Sequence, residues 1–277
     1  SVIGSVAAID NKELLKSSAP NLSAALSGKL PGLTTIQTSG EPGRDNVIMF
    51  LRGAATSNGT SPLVMVDGIP VDNMSVIDPH EIASISVLKD ASATAVFGVR
   101  GANGVIMITT RKGEKGSVKI NANAEYSVQS VAFKPERLDA WDWVRLRNEA
   151  LVNDGNAPEF KTEDIAKYDS WKSGSPTDPD FFPNNNWQKI LFRDNAPMVK
   201  TNLNVSGGSD KLQYFVSAGY LHQGGLFNVE SKARLGHNAQ STLDRYNFRS
   251  NIDYKINKII KATLNASSYL ERINGTS

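Results

Sequence analysis

After Arg111-Lys112-Gly113 the chain falls into long stretches in which apolar and polar residues alternate strictly. The clearest runs from Tyr246 to Lys255. Tyr246, Phe248, Ile252 and Tyr254 fall on one face, and Asn247, Arg249, Asn251, Asp253 and Lys255 on the other. A β-strand points successive side chains to opposite faces, so this stretch separates an aromatic surface from a charged one. An aromatic outer face backed by a strongly polar inner one suits a membrane barrel with a wet lumen. The residues before the change of rhythm read as a compact mixed α/β region. A globular domain followed by such strands points to a plugged barrel.

Four more strands share the pattern. In the first, Val118, Ile120, Ala122, Ala124, Tyr126 and Val128 oppose Lys119, Asn121, Asn123, Glu125 and Ser127. In the next, Val199, Leu203 and Val205 oppose Lys200, Asn202, Asn204 and Ser206. Leu212, Tyr214, Val216, Ala218 and Tyr220 share a face of the third, and Ile260, Ala262, Leu264 and Ala266 oppose Lys261, Thr263, Asn265 and Ser267 after the Tyr246 strand. The connections run long (about 132–197), short (Gly207-Gly208-Ser209-Asp210), long (about 223–241), short (Asn257). Long loops outside and short turns in the periplasm give that order in outer-membrane barrels. Five strands cannot close around a domain of this size, since wide plugged barrels need about 22. An open sheet with an apolar face would aggregate through its edges. The expectation is an N-terminal portion of a longer barrel protein.

Composition bounds the alternatives. No apolar run approaches the ~20 residues of a membrane helix, yet barrel strands need only about 9–11 residues with every second one apolar. A net charge of +2 gives no basis for a nucleic-acid partner. There is no cysteine, hence no disulfide and no thiol nucleophile. No signal peptide is visible at Ser1-Val2-Ile3-Gly4.

In the first region, Val2 to Ile9 suggests an opening strand. Asn21 reads as the N-cap of a helix through Leu22, Ala25, Leu26 and Leu30, stopped at Pro31-Gly32. Strands are expected over 33–38, 47–52, 63–66, 69–71, 82–88 and 104–110, with Asp67-Gly68 as a hairpin turn. Asp90 is placed as the cap of a helix over 91–97, closed by Gly98. This gives an α+β domain over 1–113, a small mixed sheet with short helices. The five antiparallel strands of an incomplete barrel follow over 114–277.

No residue constellation argues for an enzyme. His80, His222 and His237 lack metal-ligand spacing, so no metal and no cofactor is expected. The glycines of Gly98-Val99-Arg100-Gly101-Ala102-Asn103-Gly104 lack the Lys-Ser/Thr ending of a phosphate loop and precede a strand, so they serve a tight turn. Asp67 has the chemistry of a general base, but Asp-Gly between strands is first a turn. In the long connection, Trp141, Trp143, Val144, Leu146 and Ala150 form a helical stripe, with Phe181, Phe182 and Trp187 beyond it. Two roles are open to these aromatics: packing the loop on itself, or touching a partner or ligand.

Four motifs stand in a telling order: Leu51-Arg52-Gly53; Pro62-Leu63-Val64-Met65-Val66-Asp67-Gly68; Ile85-Ser86-Val87-Leu88-Lys89-Asp90-Ala91-Ser92-Ala93; and Arg100-Gly101-Ala102-Asn103-Gly104-Val105-Ile106 with Ile108-Thr109-Thr110. The chain resembles the plug domain and first strands of TonB-dependent outer-membrane transporters of the SusC/RagA type, found in Bacteroidetes. The likeness covers nearly all of 1–113, with one departure at Phe97, where the family usually carries tyrosine.

The resemblance implies active import of a polar nutrient, an oligosaccharide or peptide, across the outer membrane of the bacterial cell. It implies a SusD-like surface lipoprotein as lid, a dimer of such pairs, outer-membrane lipid around the barrel, and TonB acting through a segment upstream of residue 1. It also implies that plug arginines face barrel carboxylates, which marks Arg52 and Arg100 as plug–barrel locks; simple solvation is the alternative. The plug loops at 40–45, 54–61 and 72–78 are rich in Ser, Thr, Asn and Asp, which donate and accept hydrogen bonds. They offer Asn58, Asp72 and Asn73 as ligand contacts, although such residues equally suit any solvated loop. Rival readings are an outer-membrane adhesin or structural barrel without active transport, and a soluble enzyme.

Overall fold

The computed structural model describes residues 6–51, 61–89, 94–132, 134–228, 235–236 and 238–275, with the side chains of 6, 95 and 99 left aside. The plug is built on a five-stranded sheet in the order β1 (Val6–Asp10), β6 (Ile82–Leu88), β7 (Val105–Thr110), β4 (Leu63–Val66), β5 (Ile69–Val71). A separate antiparallel pair joins β2 (Leu33–Gln37) to β3 (Val47–Leu51). Among the described strands only β4 and β7 run parallel. Leu14, Leu22, Leu26, Met49, Ile82, Ile85, Ile106 and Ile108 belong to one buried core. These residues are apolar because that space excludes water, and burying each such side chain stabilises the domain by about 1.5–3 kcal/mol.

Local chemistry explains most boundaries. Asp67 and Gly68 hold φ of 48° and 87°, the conformation a two-residue hairpin turn demands. Asn21 accepts from the Ala24 amide at 2.9 Å and caps α2 (Leu22–Ala25). The helix expected to run to Leu30 ends at Ala25, because Gly28 turns the backbone left-handed at φ 71°. Leu26 and Leu30 still reach the core. Three short elements were not foreseen: α1 (Asn11–Leu14) and the 3-10 turns Met74–Val76 and Pro79–Glu81. Asp10, Asn73 and Asp78 cap them through their carboxylate or amide oxygens. Asp90 and residues 91–93 of the expected helix lie outside the described residues; a 3-10 turn, Ala95–Gly101, follows them.

All five long strands form one antiparallel sheet in the order β12-β11-β10-β9-β8. They are β8 (Gly116–Ser130), β9 (Asn195–Gly208), β10 (Leu212–Gly224), β11 (Thr242–Lys255) and β12 (Lys261–Asn274). Each is 13 to 15 residues long, enough to span a bilayer core when tilted. The sheet does not close in this chain, and β8 and β12 are its edges. No helix among the described residues is long and apolar enough to cross a membrane.

The residues between β8 and β9, together with 226–228, form a compact unit of their own. It holds α3 (Ala140–Asn153), α4 (Thr162–Asp169), the 3-10 turn Ser170–Ser173 and α5 (Trp187–Leu191). Edge-to-face contacts link Trp143 to Phe160 at 5.8 Å, Phe160 to Tyr168 at 6.0 Å and Tyr168 to Phe182 at 5.4 Å. The aromatics thus divide: Phe182 packs the unit on itself, whereas Phe181 and Trp187 are exposed.

Candidate functional site

The strand sheet turns its polar face to the plug and its apolar face outward. On β11, Arg245, Arg249 and Asn251 are buried, while Tyr246, Phe248 and Tyr254 on the opposite face are exposed. This inverts the pattern of a soluble sheet and is the arrangement of a lipid-facing wall. Register places the outward aromatics in two rows: Tyr220 opposite Tyr246, with ring centroids 5.0 Å apart, and Tyr214 two pairs from Tyr254.

The inward residues of β11 grip the plug one after another. Arg245 Nη1 donates to the Ser75 carbonyl at 2.6 Å, and Asn247 Nδ2 to the Val76 carbonyl at 2.5 Å. Arg249 Nε donates to Glu81 Oε2 at 2.7 Å. Asn251 Nδ2 donates to Thr110 Oγ1 at 2.8 Å and to the Arg111 carbonyl at 2.7 Å. The 3-10 turns are what make this possible. Short turns leave carbonyls without internal partners, and those of Ser75 and Val76 point to the wall. Asp67 joins the same network: its carboxylate accepts from the Thr110 amide at 2.9 Å and from Thr110 Oγ1. It is a turn residue and a tie, with no free base geometry.

β9 and β10 supply a second row. Asn202 Nδ2 donates to Asp78 Oδ2 at 2.8 Å and to Ser217, and Asn204 donates to Asn202 Oδ1 at 2.9 Å. Lys200 Nζ donates to the Ser18 carbonyl at 3.0 Å and the Ala19 carbonyl at 2.5 Å. Ser241 donates to Glu41 Oε1 at 2.9 Å. His80 stacks no metal site: its Nδ1 lies 3.0 Å from Asp78 Oδ1 and its Nε2 3.1 Å from Asn123 Nδ2. His222 Nδ1 lies 2.8 Å from Asp244 Oδ1, and His237 is outside the described residues. Among the described residues no cluster of three acidic or histidine side chains could hold a metal.

Burial sets the electrostatics. Removal from water pushes the Glu81 carboxyl up to about 7, against the opposing pull of Arg249. Its second oxygen, Oε1, is buried without a hydrogen bond. Asp78, the cap of the same 3-10 turn, behaves oppositely. Burial would raise it, but His80 and Asn202 bind its charged form and hold it below the usual carboxylate range.

The change of rhythm in the sequence is a physical clamp. A Cβ on Gly113 would sit 2.2 Å from the Tyr214 amide nitrogen, so only glycine lets the linker cross the start of β10. Beside it Arg111 lies over the Phe215 ring, 5.5 Å from the centroid. Gly219 serves the same end, for its absent Cβ would lie 2.5 Å from Asp78 Oδ2. In the Gly98–Gly104 turn, Gly104 holds φ of 90° and its Cβ would meet Leu51, which fits a structural turn.

Asp72 and Asn73 come together, both exposed, in a recess of about 600 Å3 beside Asn265, Ser267 and Tyr269 of β12. Asn73 also caps the Ser75 amide at 2.9 Å. Asn58 and Arg52 fall outside the described residues. Arg100 is exposed and forms no ion pair among the described residues. The buried plug–wall pair has the reverse polarity, a wall arginine on a plug carboxylate. Sequence reading missed Glu81 and Asp78, although Arg245 and Arg249 on a strand's inner face signal a need for acceptors opposite.

The TonB-dependent receptor plug domain family matches residues 1–105. A TonB-dependent receptor of Formosa agariphila is 31% identical over 279 residues, covering 98% of this chain and 26% of that protein. The TonB-dependent receptor SusC of Bacteroides thetaiotaomicron is 30% identical over 264 residues, covering 92% of this chain and 24% of that protein. The RagAB peptide importer in its closed-closed state is similar over 99% of this chain and 31% of that one, with a TM-score of 0.76 at 27% identity. The chain spans about a quarter of the length of the curated relatives it matches.

Proposed function

Because this chain belongs to the TonB-dependent receptors of the SusC and RagA type, whose plug and first barrel strands it carries, we propose that it closes and gates an outer-membrane pore for active import of a polar nutrient. The observation that carries this reading is the inner face of β11. Four successive inward residues, Arg245 to Asn251, spend their hydrogen bonds on the plug. A wall with a buried polar face and an exposed aromatic one has no use in a soluble enzyme, since it would present its apolar side to water.

The nutrient is an oligosaccharide or a peptide, met from outside by the recess at Asp72 and Asn73 together with Asn58. Importer relatives favour transport over adhesion. A SusD-like surface lipoprotein is the lid, with two such pairs in the assembly, and the compact unit at about 132–197 is an extracellular loop. Arg52 and Arg100 serve as locks toward wall strands beyond β12. TonB acts through a segment upstream of residue 1, drawing on the inner-membrane proton gradient, and no nucleotide binds.

The test is deletion of that upstream segment in the full-length protein, followed by uptake of labelled oligosaccharide and peptide mixtures. Uptake ceases while surface assembly persists. An adhesin or structural barrel would be indifferent to the deletion.

A further inference from the structure

The turn that joins β11 to β12 leaves apolar side chains in the open, beyond the last aromatic of the outward face. Ile256 and Ile260 are 53% and 52% exposed, and Ile259 at the tip is 94% exposed. They lie outside the paired strands, since β11 ends at Lys255 and β12 begins at its register partner Lys261. The turn is internally fixed. Asn257 Oδ1 accepts from the Ile259 and Ile260 amides at 2.8 Å each, and the Ile256 amide donates to the Ile260 carbonyl at 3.0 Å. An apolar side chain held out in this way calls for a covering surface.

Charge says what kind of surface. The seven residues Lys255–Lys261 are three lysines, three isoleucines and one asparagine, with no carboxylate. Lys211 of the neighbouring short turn is tied to them, its carbonyl accepting from the Lys255 amide at 2.7 Å. Lys261 pairs with Asp253 at 3.1 Å, whereas Lys211, Lys255 and Lys258 form no ion pair among the described residues. The opposite ends of the same strands are mixed in sign: Arg245 pairs with Glu271 at 2.6 Å, and His222 lies 2.8 Å from Asp244. Lysines around an apolar tip fit an anionic lipid surface. Their stems lie along the acyl boundary and their ammonium groups stay at the phosphates, while the isoleucines enter. The tip also continues the lipid-facing wall, because Ile252, Tyr254 and Ile256 follow one another at the two-residue period of the outward face.

We propose that the Lys255–Lys261 turn, together with Lys211, is an anchor that inserts into the periplasm-facing leaflet of the outer membrane and selects anionic phospholipid there. This inference rests on the import reading, in which the short turns face the periplasm. Each ammonium group at an anionic surface favours binding by roughly fivefold, so the unpaired lysines supply selectivity while the isoleucines supply depth. The other short turn, Gly207-Gly208-Ser209-Asp210, has no large apolar side chain and carries a carboxylate, so it stays in water.

The test uses the full-length protein in a cysteine-free background, reconstituted into phosphatidylcholine vesicles. A polarity-sensitive fluorophore is placed singly through Ile259→Cys at the tip, Val216→Cys on the outward wall and Asp210→Cys on the other turn. Quenching is measured with nitroxide-labelled phosphatidylcholine and with nitroxide-labelled phosphatidylglycerol. The label at 259 should be blue-shifted and quenched, with phosphatidylglycerol several-fold the better quencher. The label at 216 should be quenched by both lipids alike, and that at 210 should stay aqueous. Lys255→Gln with Lys258→Gln should abolish the preference at 259. If 259 and 210 behave alike, or if 259 shows no preference or one that the glutamines leave intact, the anchor is wrong and import stands. If 216 is not quenched, the wall does not face lipid, and the import reading falls with the anchor.

Discussion

Arg249 of β11 donates to Glu81 of the plug at 2.7 Å, and both side chains are all but excluded from solvent, at 7% and 3% exposed. The pair joins residues 168 positions apart and ties a strand of the wall to the last turn before β6. A buried ion pair is poor evidence for net stability, because desolvation offsets the attraction, but breaking one side of it is costly. Arg249→Ala should destabilise the plug–wall assembly by about 3–5 kcal/mol, since it leaves Glu81 buried without its cation. Arg249→Leu with Glu81→Leu should recover much of that loss. Thermal unfolding of the detergent-solubilised full-length protein measures both.

Glu81 also predicts a pH dependence. Its folded pKa, about 7, lies above the ordinary value of 4.5, so the folded state holds the proton more tightly. The stability this provides is fully present below about 4.5 and is lost as pH rises to about 7, a change on the order of 3 kcal/mol. Asp78 has the opposite sign, its contribution being present above its ordinary 3.8 and lost only at lower pH. Between pH 5 and 7.5 the melting temperature should therefore fall, and Glu81→Gln should flatten that slope. An unchanged slope in the variant would remove Glu81 as its source.

The glycine clamps make a steric prediction. Gly113→Ala drives a methyl into the Tyr214 backbone, and Gly219→Ala drives one into the Asp78 carboxylate. Overpacking of this kind costs about 1–3 kcal/mol, more where backbone must shift. Gly113→Ala should be the worse of the two, because Asp78 is a side chain and can give way. Limited proteolysis at the linker should follow the same rank.

The outward face makes a prediction about the bilayer. Val216 pairs with Val205 and Ser250 between the two tyrosine rows. Val216→Arg should weaken insertion into liposomes by about 2–4 kcal/mol, the midplane cost for a barrel strand. Ser267→Arg, on the inward face of β12, should not. Equal effects would argue that the faces are assigned the wrong way round.

Much of this was legible in the sequence for a simple reason. A wall strand faces the plug on one side and outward on the other, so its residues alternate with few exceptions, such as Ser250 outward and Phe215 inward, and all five strands could be read. Ile82–Leu88 was read to its ends because Glu81 and Lys89 bracket an uncharged run of alternating Ile, Ser and Val. Asn21 and Asp67-Gly68 were legible because cap and turn chemistry is local. α1 and the two 3-10 turns were not, being too short to show any period, although Asn73, Asp78 and Pro79 carry cap signals. The partners Asp78 and Glu81 were hidden for another reason. Which carboxylate meets Arg249 depends on how the plug docks, which no local pattern records. Arg52 and Arg100 were singled out through the family resemblance, and the Arg249–Glu81 pair is a separate tie of the opposite polarity.

The central claim is that the plug, held by the inner face of β9 to β11, keeps an otherwise wide pore shut. Conductance in planar lipid bilayers tests this most directly. The full-length protein should be silent at rest, and the same protein lacking residues 1–113 should give large, stable, ohmic channels. A resting protein that conducts as well as its truncated form, or a truncated form that still folds into the bilayer yet stays silent, would contradict the account.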